Sequence, residues 1–393
     1  MKESLKSVFP VLLALSAAHL LNDLMQATVA SSYPMLKEDL GLSFAQIGSI
    51  TFIYQIAASV FQPVVGHFFD RHKIPASIPL ATTFSMLGVL GLAFSASLPM
   101  VYVSVFTIGL GSSILHPEAS RITSLASGGK RGFAQSVFQV GGNLGSSAGP
   151  LAVALLVAPF GRARLWCFVF FSIASYMACV PITRWFSKYL SAGPVSGKKA
   201  EKRRRPLSMP ATVGVIVLLC VLIISKYIYL ESIKSYYTFY LIERFGLSIS
   251  GSQLCLFAFL FATAAGIMLG GPLGDRIGRK YVIWFSILGT APFSLLMPGA
   301  SLPATVALSF GAGFILSSAF PSILLYAQEL LPNNLGLVSG LFFGFAFGIG
   351  GIVSAVLGNF IDRDGVEAVY RFVSYTPLIG VLGGFLPDLR KRA

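Results

Sequence analysis

Long apolar runs, each closed by charges or by Gly/Pro clusters, follow one another along nearly the whole chain. A helix crosses a bilayer with ~20 apolar residues. The runs predict twelve such helices, over 8–34, 44–66, 74–97, 100–126, 133–158 and 164–188, then 209–242, 250–271, 280–298, 302–330, 335–360 and 367–387. The stretch from Met1 to Ala18, with Lys2 and Lys6 ahead of VLLALSAA, imitates a secretory signal. Its apolar run continues to Pro34, however, and is assigned to the first span.

The two sets of six repeat. GLS at 41–43 returns at 246–248, Gly66 with Asp70-Arg71 returns as Gly271 with Asp275-Arg276, and Gly132 returns as Gly336, at offsets of 205, 205 and 204. Six is even, so both sets enter the membrane in the same direction. That predicts parallel repeats about an axis along the membrane normal, with a central cavity between them. The expected organisation is a six-helix bundle over 1–188, a basic cytoplasmic linker over 189–208 and a second bundle over 209–393.

Polar positions inside the runs are few and helically spaced. At ~100° per residue, His19, Asn22, Asp23 and Gln26 fall on one third of the first helix. The offset of 205 carries Asn22 to Tyr227, Gln26 to Glu231 and Val29 to Lys234, a matching stripe on the seventh helix. The fifth helix adds Gln135, Gln139, Asn143 and Ser146, and the second adds Thr51, Gln55, Ser59 and Gln62. The fourth carries ILHPEASR at 114–121, where Pro117 frees the Ser113 carbonyl and Glu118 and Arg121 stand close enough to touch.

Composition agrees with an all-α membrane protein: 55% of the 393 residues are hydrophobic and 11% charged, against ~25% charged in soluble domains. The net charge of +14 is mainly topological. With both termini on one side, that side collects twenty Lys and Arg, and the other holds Lys37, Arg162, Arg164, Arg244, Arg363 and Arg371. Both termini are therefore expected in the cytoplasm. The run KKAEKRRR at 198–205 fits the linker and attraction to anionic lipid better than nucleic acid. Cys167, Cys179, Cys220 and Cys255 are isolated, and SGGKRG at 127–132 lacks two residues of a phosphate loop. No cofactor, metal site or ATP site is expected. A lipid-modifying enzyme is not expected either, because the histidines are scattered and no nucleophile has a base.

GGPLGDRIGRK at 270–280 resembles the loop signature of the major facilitator superfamily, with Gly271, Asp275, Arg276 and Arg279 as its marks. GHFFDRHKIP at 66–75 keeps Gly66, Asp70 and Arg71 but loses the later Gly-Arg-Lys. GGNLGSSAGPL at 141–151 resembles the drug/proton antiporter signature through Gly141, Gly149 and Pro150. Gly at 141, 145 and 149, and at 336, 340, 344 and 348, also permits close helix packing. HLLND (19–23), FQPVVG (61–66), HPEASR (116–121), SKYIYLESIKSYYTFYL (225–241) and YAQELLP (326–332) together resemble the fosmidomycin resistance proteins of that superfamily.

The resemblance implies a bacterial inner-membrane exporter that exchanges a phosphonate drug or related small organic anion for protons by alternating access. Monomers are usual in the superfamily. A proton symporter or facilitator for an organic anion or sugar phosphate is the alternative. A charge at the bilayer centre costs ~2.5–3.5 kcal/mol on insertion scales, so such residues face partners or water. Asp23 is the first candidate for the coupled proton and Glu118 the second, with His19 and His116 able to relay. Arg121, Lys226 and Lys234 are the candidate cations for the anion, with Glu231, Gln139, Asn143, Asn22 and Tyr227 beside them. Three structural alternatives stand next to these roles: an inert Glu118–Arg121 pair, a Lys226–Asp23 bridge, and tyrosines at 229, 236 and 240 that serve packing. Glu329 is placed with the gate motif.

Overall fold

The computed structural model describes residues 8–128, 131–191, 206–331 and 335–391. The expected linker falls largely outside them. Side chains at Gly66, Asp70, Arg71 and Gly271 lie outside the described residues too, although their backbones are helical.

The chain forms α1 (Phe9–Ser31), α2 (Tyr33–Leu40), α3 (Phe44–Ser59), α4 (Phe61–Arg71), α5 (Ser77–Phe94), α6 (Leu98–Ala126), α7 (Arg131–Leu156) and α8 (Val169–Ser191). It continues with α9 (Met209–Phe245), α10 (Ile249–Ile277), α11 (Arg279–Leu288), α12 (Ala291–Leu296), α13 (Leu302–Ser317), α14 (Ala319–Leu330), α15 (Leu335–Asp364) and α16 (Val366–Val373). Several predicted spans are thus broken rods: breaks fall at Val60, at Gly289–Thr290 and at Ser318. The last predicted helix, 367–387, is corrected to α16 followed by a 3-10 stretch, Thr376–Phe385. Pro377, Gly380, Gly383 and Gly384 disfavour the α-helix there.

Nine helices among the described residues are long and apolar enough to cross a membrane. α1 carries a polar stripe that lowers its hydropathy, α15 contains undescribed side chains, and α16 is short. Large apolar side chains such as Val103, Phe160, Phe170, Met177, Phe285, Phe372 and Phe385 stand on the outside, as lipid-facing surfaces require.

The repeated GLS tripeptide ends a helix in each half. Gly41 (φ 61°) and Gly246 (φ 66°) take the left-handed conformation, and their N–H groups donate to the carbonyls of Lys37 and Ile242. Ser43 then starts α3 with a reciprocal cap: its N–H donates to Gln46 Oε1 (2.9 Å) and its hydroxyl accepts the Gln46 N–H (3.1 Å).

Two compact units result. The first comprises 1–42, 49–197 and 249–257, and the second 43–48, 198–248 and 258–393. This differs from a single cut at the linker, since each unit takes in the first residues of one helix, α3 or α10. Within the second unit, the Asp362 carboxylate accepts the N–H groups of Phe44 (2.8 Å) and Ala45 (2.7 Å), satisfying donors that a helix start leaves open. The core of the first unit joins α1, α5, α6, α7 and α8 through Leu12, Leu15, Ile78, Leu115, Ile122, Phe138, Ile182 and Phe186.

Candidate functional site

In the first unit the polar stripe of α1 meets α6 and α7. His19 and Asp23 are four residues apart on one face of α1, with His19 Nε2 3.3 Å from Asp23 Oδ2. His116, one residue before the helix-interior Pro117 of α6, brings its Nε2 within 3.7 Å of Asp23 Oδ1 and 3.3 Å of His19 Nε2. Asn22 and Gln26 amides reach Asp23 Oδ1 at 3.5 Å, and the Ser146 hydroxyl reaches Oδ2 at 3.4 Å. The histidines therefore correct the expectation that they were too scattered to form a cluster: ligand-type atoms of His19, Asp23 and His116 lie within 4.8 Å of one another.

Both imidazoles are fixed by backbone carbonyls. His19 Nδ1 donates to the Phe138 carbonyl and His116 Nδ1 to the Ser112 carbonyl, each at 2.9 Å. A carbonyl only accepts, so these contacts favour the hydrogen on each Nδ1; at His116 the Ser112 hydroxyl, 3.2 Å from Nδ1, can donate instead and leave the hydrogen on Nε2. Two imidazole nitrogens and a carboxylate thus converge within 3.7 Å of one another. The Nε2–Nε2 contact closes as a hydrogen bond only when one of the two nitrogens carries a proton.

α7 builds the seat for His19. The Phe138 ring stacks on the imidazole, centroids 4.0 Å apart, and a Cβ at Gly142 would overlap the His19 ring. Cβ atoms at Gly141 and Gly145 would strike the backbone carbonyls of Ser16 and Leu20, and one at Gly149 would strike Ala27. The antiporter-like glycines accordingly bring α7 against α1, while Pro150 lies inside α7. The corresponding reading of α15 is corrected for two positions: Gly344 and Gly348 have nothing within 4 Å of a Cβ. Gly336 and Gly340 side positions lie outside the described residues.

The stripe is extended by partners from other helices. Asn22 accepts the Ser85 hydroxyl (2.7 Å) and Gln26 Oε1 accepts the Tyr54 hydroxyl (2.7 Å). Gln135 donates to Ser120 and Ser124 of α6, whereas Gln139 is exposed and Asn143 half-buried. Glu118 is buried and its carboxylate receives Arg121 Nε (3.1 Å) and Nη2 (2.7 Å), with the Ser77 hydroxyl also on Oε2 (3.1 Å). The Arg121 guanidinium further lies over the Phe186 ring. Ser77, Ser85, Tyr54, Phe138 and Gly142 were not legible as site residues; of these only Gly142 left a trace, in the glycine-rich spacing of α7.

In the second unit, α9 buries Lys226, Tyr227 and Glu231. Glu231 pairs with Lys234 at 3.2 Å. Lys226 instead lies over the rings of Phe320 (5.0 Å) and Tyr227 (5.5 Å), and it makes no ion pair with another described residue of this unit. Tyr229, Tyr236 and Tyr240 are enclosed in packing. In the loop motif, Arg279 binds Asp275 (3.1 Å) and pairs with Glu329 of α14. These residues, with Arg390 and Asp388, line a pocket of about 230 Å³, while Arg276 is exposed.

The Major Facilitator Superfamily family model matches residues 15–233 and 215–392. The chain is 49% identical over 387 residues to the fosmidomycin resistance protein of Escherichia coli (strain K12), covering 98% of this chain and 95% of that one. It is 37% identical to YfnC, an MFS-type transporter of Bacillus subtilis (strain 168), covering 98% and 94%. Among solved structures, a D-xylose-proton symporter superposes with a TM-score of 0.74 at 15% identity, covering 98% of this chain and 99% of that chain.

Proposed function

The chain belongs to the major facilitator superfamily, and from that premise we propose that this multi-pass membrane transporter exports a fosmidomycin-like phosphonate or related small organic anion in exchange for protons. It works by alternating access, as a monomer in a bacterial inner membrane, with both termini cytoplasmic. The observation that carries the coupling is the convergence of two imidazole Nε2 atoms and the Asp23 carboxylate, three titratable groups within reach of one proton. Asp23 takes up the coupled proton, and His19 and His116 relay or share it.

On the anion side, Arg121 is bound to Glu118 and Lys234 to Glu231, so both must leave a carboxylate to take a phosphonate. Lys226 is buried over two ring faces and, unlike Arg121 and Lys234, has no carboxylate to leave before it meets an anionic oxygen. Glu118 serves to hold Arg121 until the anion competes for it, while Asn22, Gln139, Asn143 and Tyr227 supply polar contacts. Asp275, Arg276 and Arg279, with Gly66, Asp70, Arg71 and Gly271, belong to the cytoplasmic gate at the ends of α4 and α10 and the start of α11.

The energetics are adequate. One pH unit supplies ~1.4 kcal/mol per proton, 100 mV supplies ~2.3 kcal/mol per net charge, and a hundredfold drug gradient requires ~2.8 kcal/mol. The deciding experiment is uptake into reconstituted vesicles with a panel of phosphonates and sugar phosphates. An acid lumen should drive accumulation of a phosphonate. Accumulation driven only by acid outside would overturn antiport in favour of symport.

A further inference from the structure

We propose that His19, Asp23 and His116 form a binding site for one divalent transition-metal ion of the Zn2+ class. The argument rests on donor geometry and stands apart from the transport reading. Two ligand atoms bound at ~2.05 Å to a tetrahedral zinc lie about 3.3 Å apart. The His19 Nε2–His116 Nε2 and His19 Nε2–Asp23 Oδ2 separations are both 3.3 Å, and His116 Nε2–Asp23 Oδ1 is 3.7 Å. The two carboxylate distances run to different oxygens, and one ligand atom from each group lies within 4.8 Å of the others, so a small turn of the Asp23 carboxylate brings the three around one ion.

The surrounding contacts point the same way. Metal-bound imidazoles commonly donate their other N–H to a carbonyl, which fixes the tautomer and aims the free lone pair at the ion. Phe138 and Ser112 do this for His19 and His116. Ser146, Asn22 and Gln26 surround the carboxylate as outer donors. Two imidazoles and one carboxylate suit Zn2+, Co2+ or Ni2+, whereas Mg2+ and Ca2+ ask for oxygen ligands. His19 is sealed at 3% exposure, but His116 is 28% exposed, giving the ion an entry side. Three protein ligands leave a fourth position for water or an anionic oxygen.

The test is a Co2+ titration of the purified full chain, free of any affinity-tag histidines, followed by visible absorption. One equivalent should bind with the intense bands of a four-coordinate ion, and Zn2+ should displace them. His116→Ala and Asp23→Asn should each weaken binding at least tenfold, while His72→Ala, at an exposed histidine, leaves it unchanged. A thermal melt checks folding, and His116→Gln replaces the alanine variant if that one does not fold. Absence of the bands at millimolar Co2+, or bands that survive both His116→Ala and Asp23→Asn, would overturn the site. A chain that couples protons but shows no such bands loses the metal site alone. One that binds cobalt yet transports without proton coupling loses the transport reading alone.

Discussion

α1 and α9 occupy the same place in their repeats and carry opposite chemistry. On α1, His19 and Asp23 converge with His116 into a cluster of two imidazoles and one carboxylate. On α9, Lys226 is a buried amine laid over two ring faces. The offset of 205 gives His19 and Asp23 the counterparts Ile224 and Ile228, and gives Lys226 the counterpart Leu21. The helices they face repeat as well: HPE at 116–118 returns as FPS at 320–322, so that His116 of the proton cluster corresponds to Phe320, on which Lys226 lies. The difference teaches that the two repeats carry different side chains at equivalent positions, which on the proposed function would make one seat cation-seeking and the other anion-seeking.

The strongest way to break this contrast is to remove one charge at a time. Asp23→Asn should abolish the response of phosphonate uptake to an imposed pH gradient while leaving phosphonate affinity within a few-fold. Lys226→Ala should do the reverse, weakening affinity by roughly 10- to 100-fold, as loss of a charge-assisted hydrogen bond predicts. Binding by calorimetry beside gradient-driven uptake separates the two, and equal loss of affinity in both variants would erase the division of labour.

Packing sharpens the same comparison. Gly142→Ala pushes a methyl into the His19 ring and should cost about 1–3 kcal/mol, visible as a lower melting temperature with impaired coupling. Arg279→Gln removes a partly exposed link to Asp275 and Glu329 and should lower stability by about 1 kcal/mol or less. The smallest effect belongs to α15, where Gly348→Ala meets nothing and should be neutral or stabilising by about 0.5–1 kcal/mol in the same melting assay.

Much of the fold was legible because a bilayer makes the hydropathy pattern of the spans nearly sufficient. The α1 stripe was legible as well, since His19, Asn22, Asp23 and Gln26 share a helical face. Periodicity, however, describes one helix at a time. It could not say that His116, 97 residues away in sequence, would complete the cluster, nor that the Phe138 and Ser112 carbonyls would choose its tautomers. It likewise read the glycine spacings of α7 and α15 alike, although two of the α15 positions face open space. The breaks at Val60 and Ser318 escaped because neither residue is a strong helix breaker.

The glycine face of α7 against α1 has a mechanical meaning. Where backbone meets backbone, with the Ser16 hydroxyl and the His19 ring both fastened to α7 carbonyls, neither helix can turn about its own axis alone. On the proposed function the pair would act as a single stiff lever, so that adding or removing one hydrogen ion at its middle would tilt two helices together instead of twisting one.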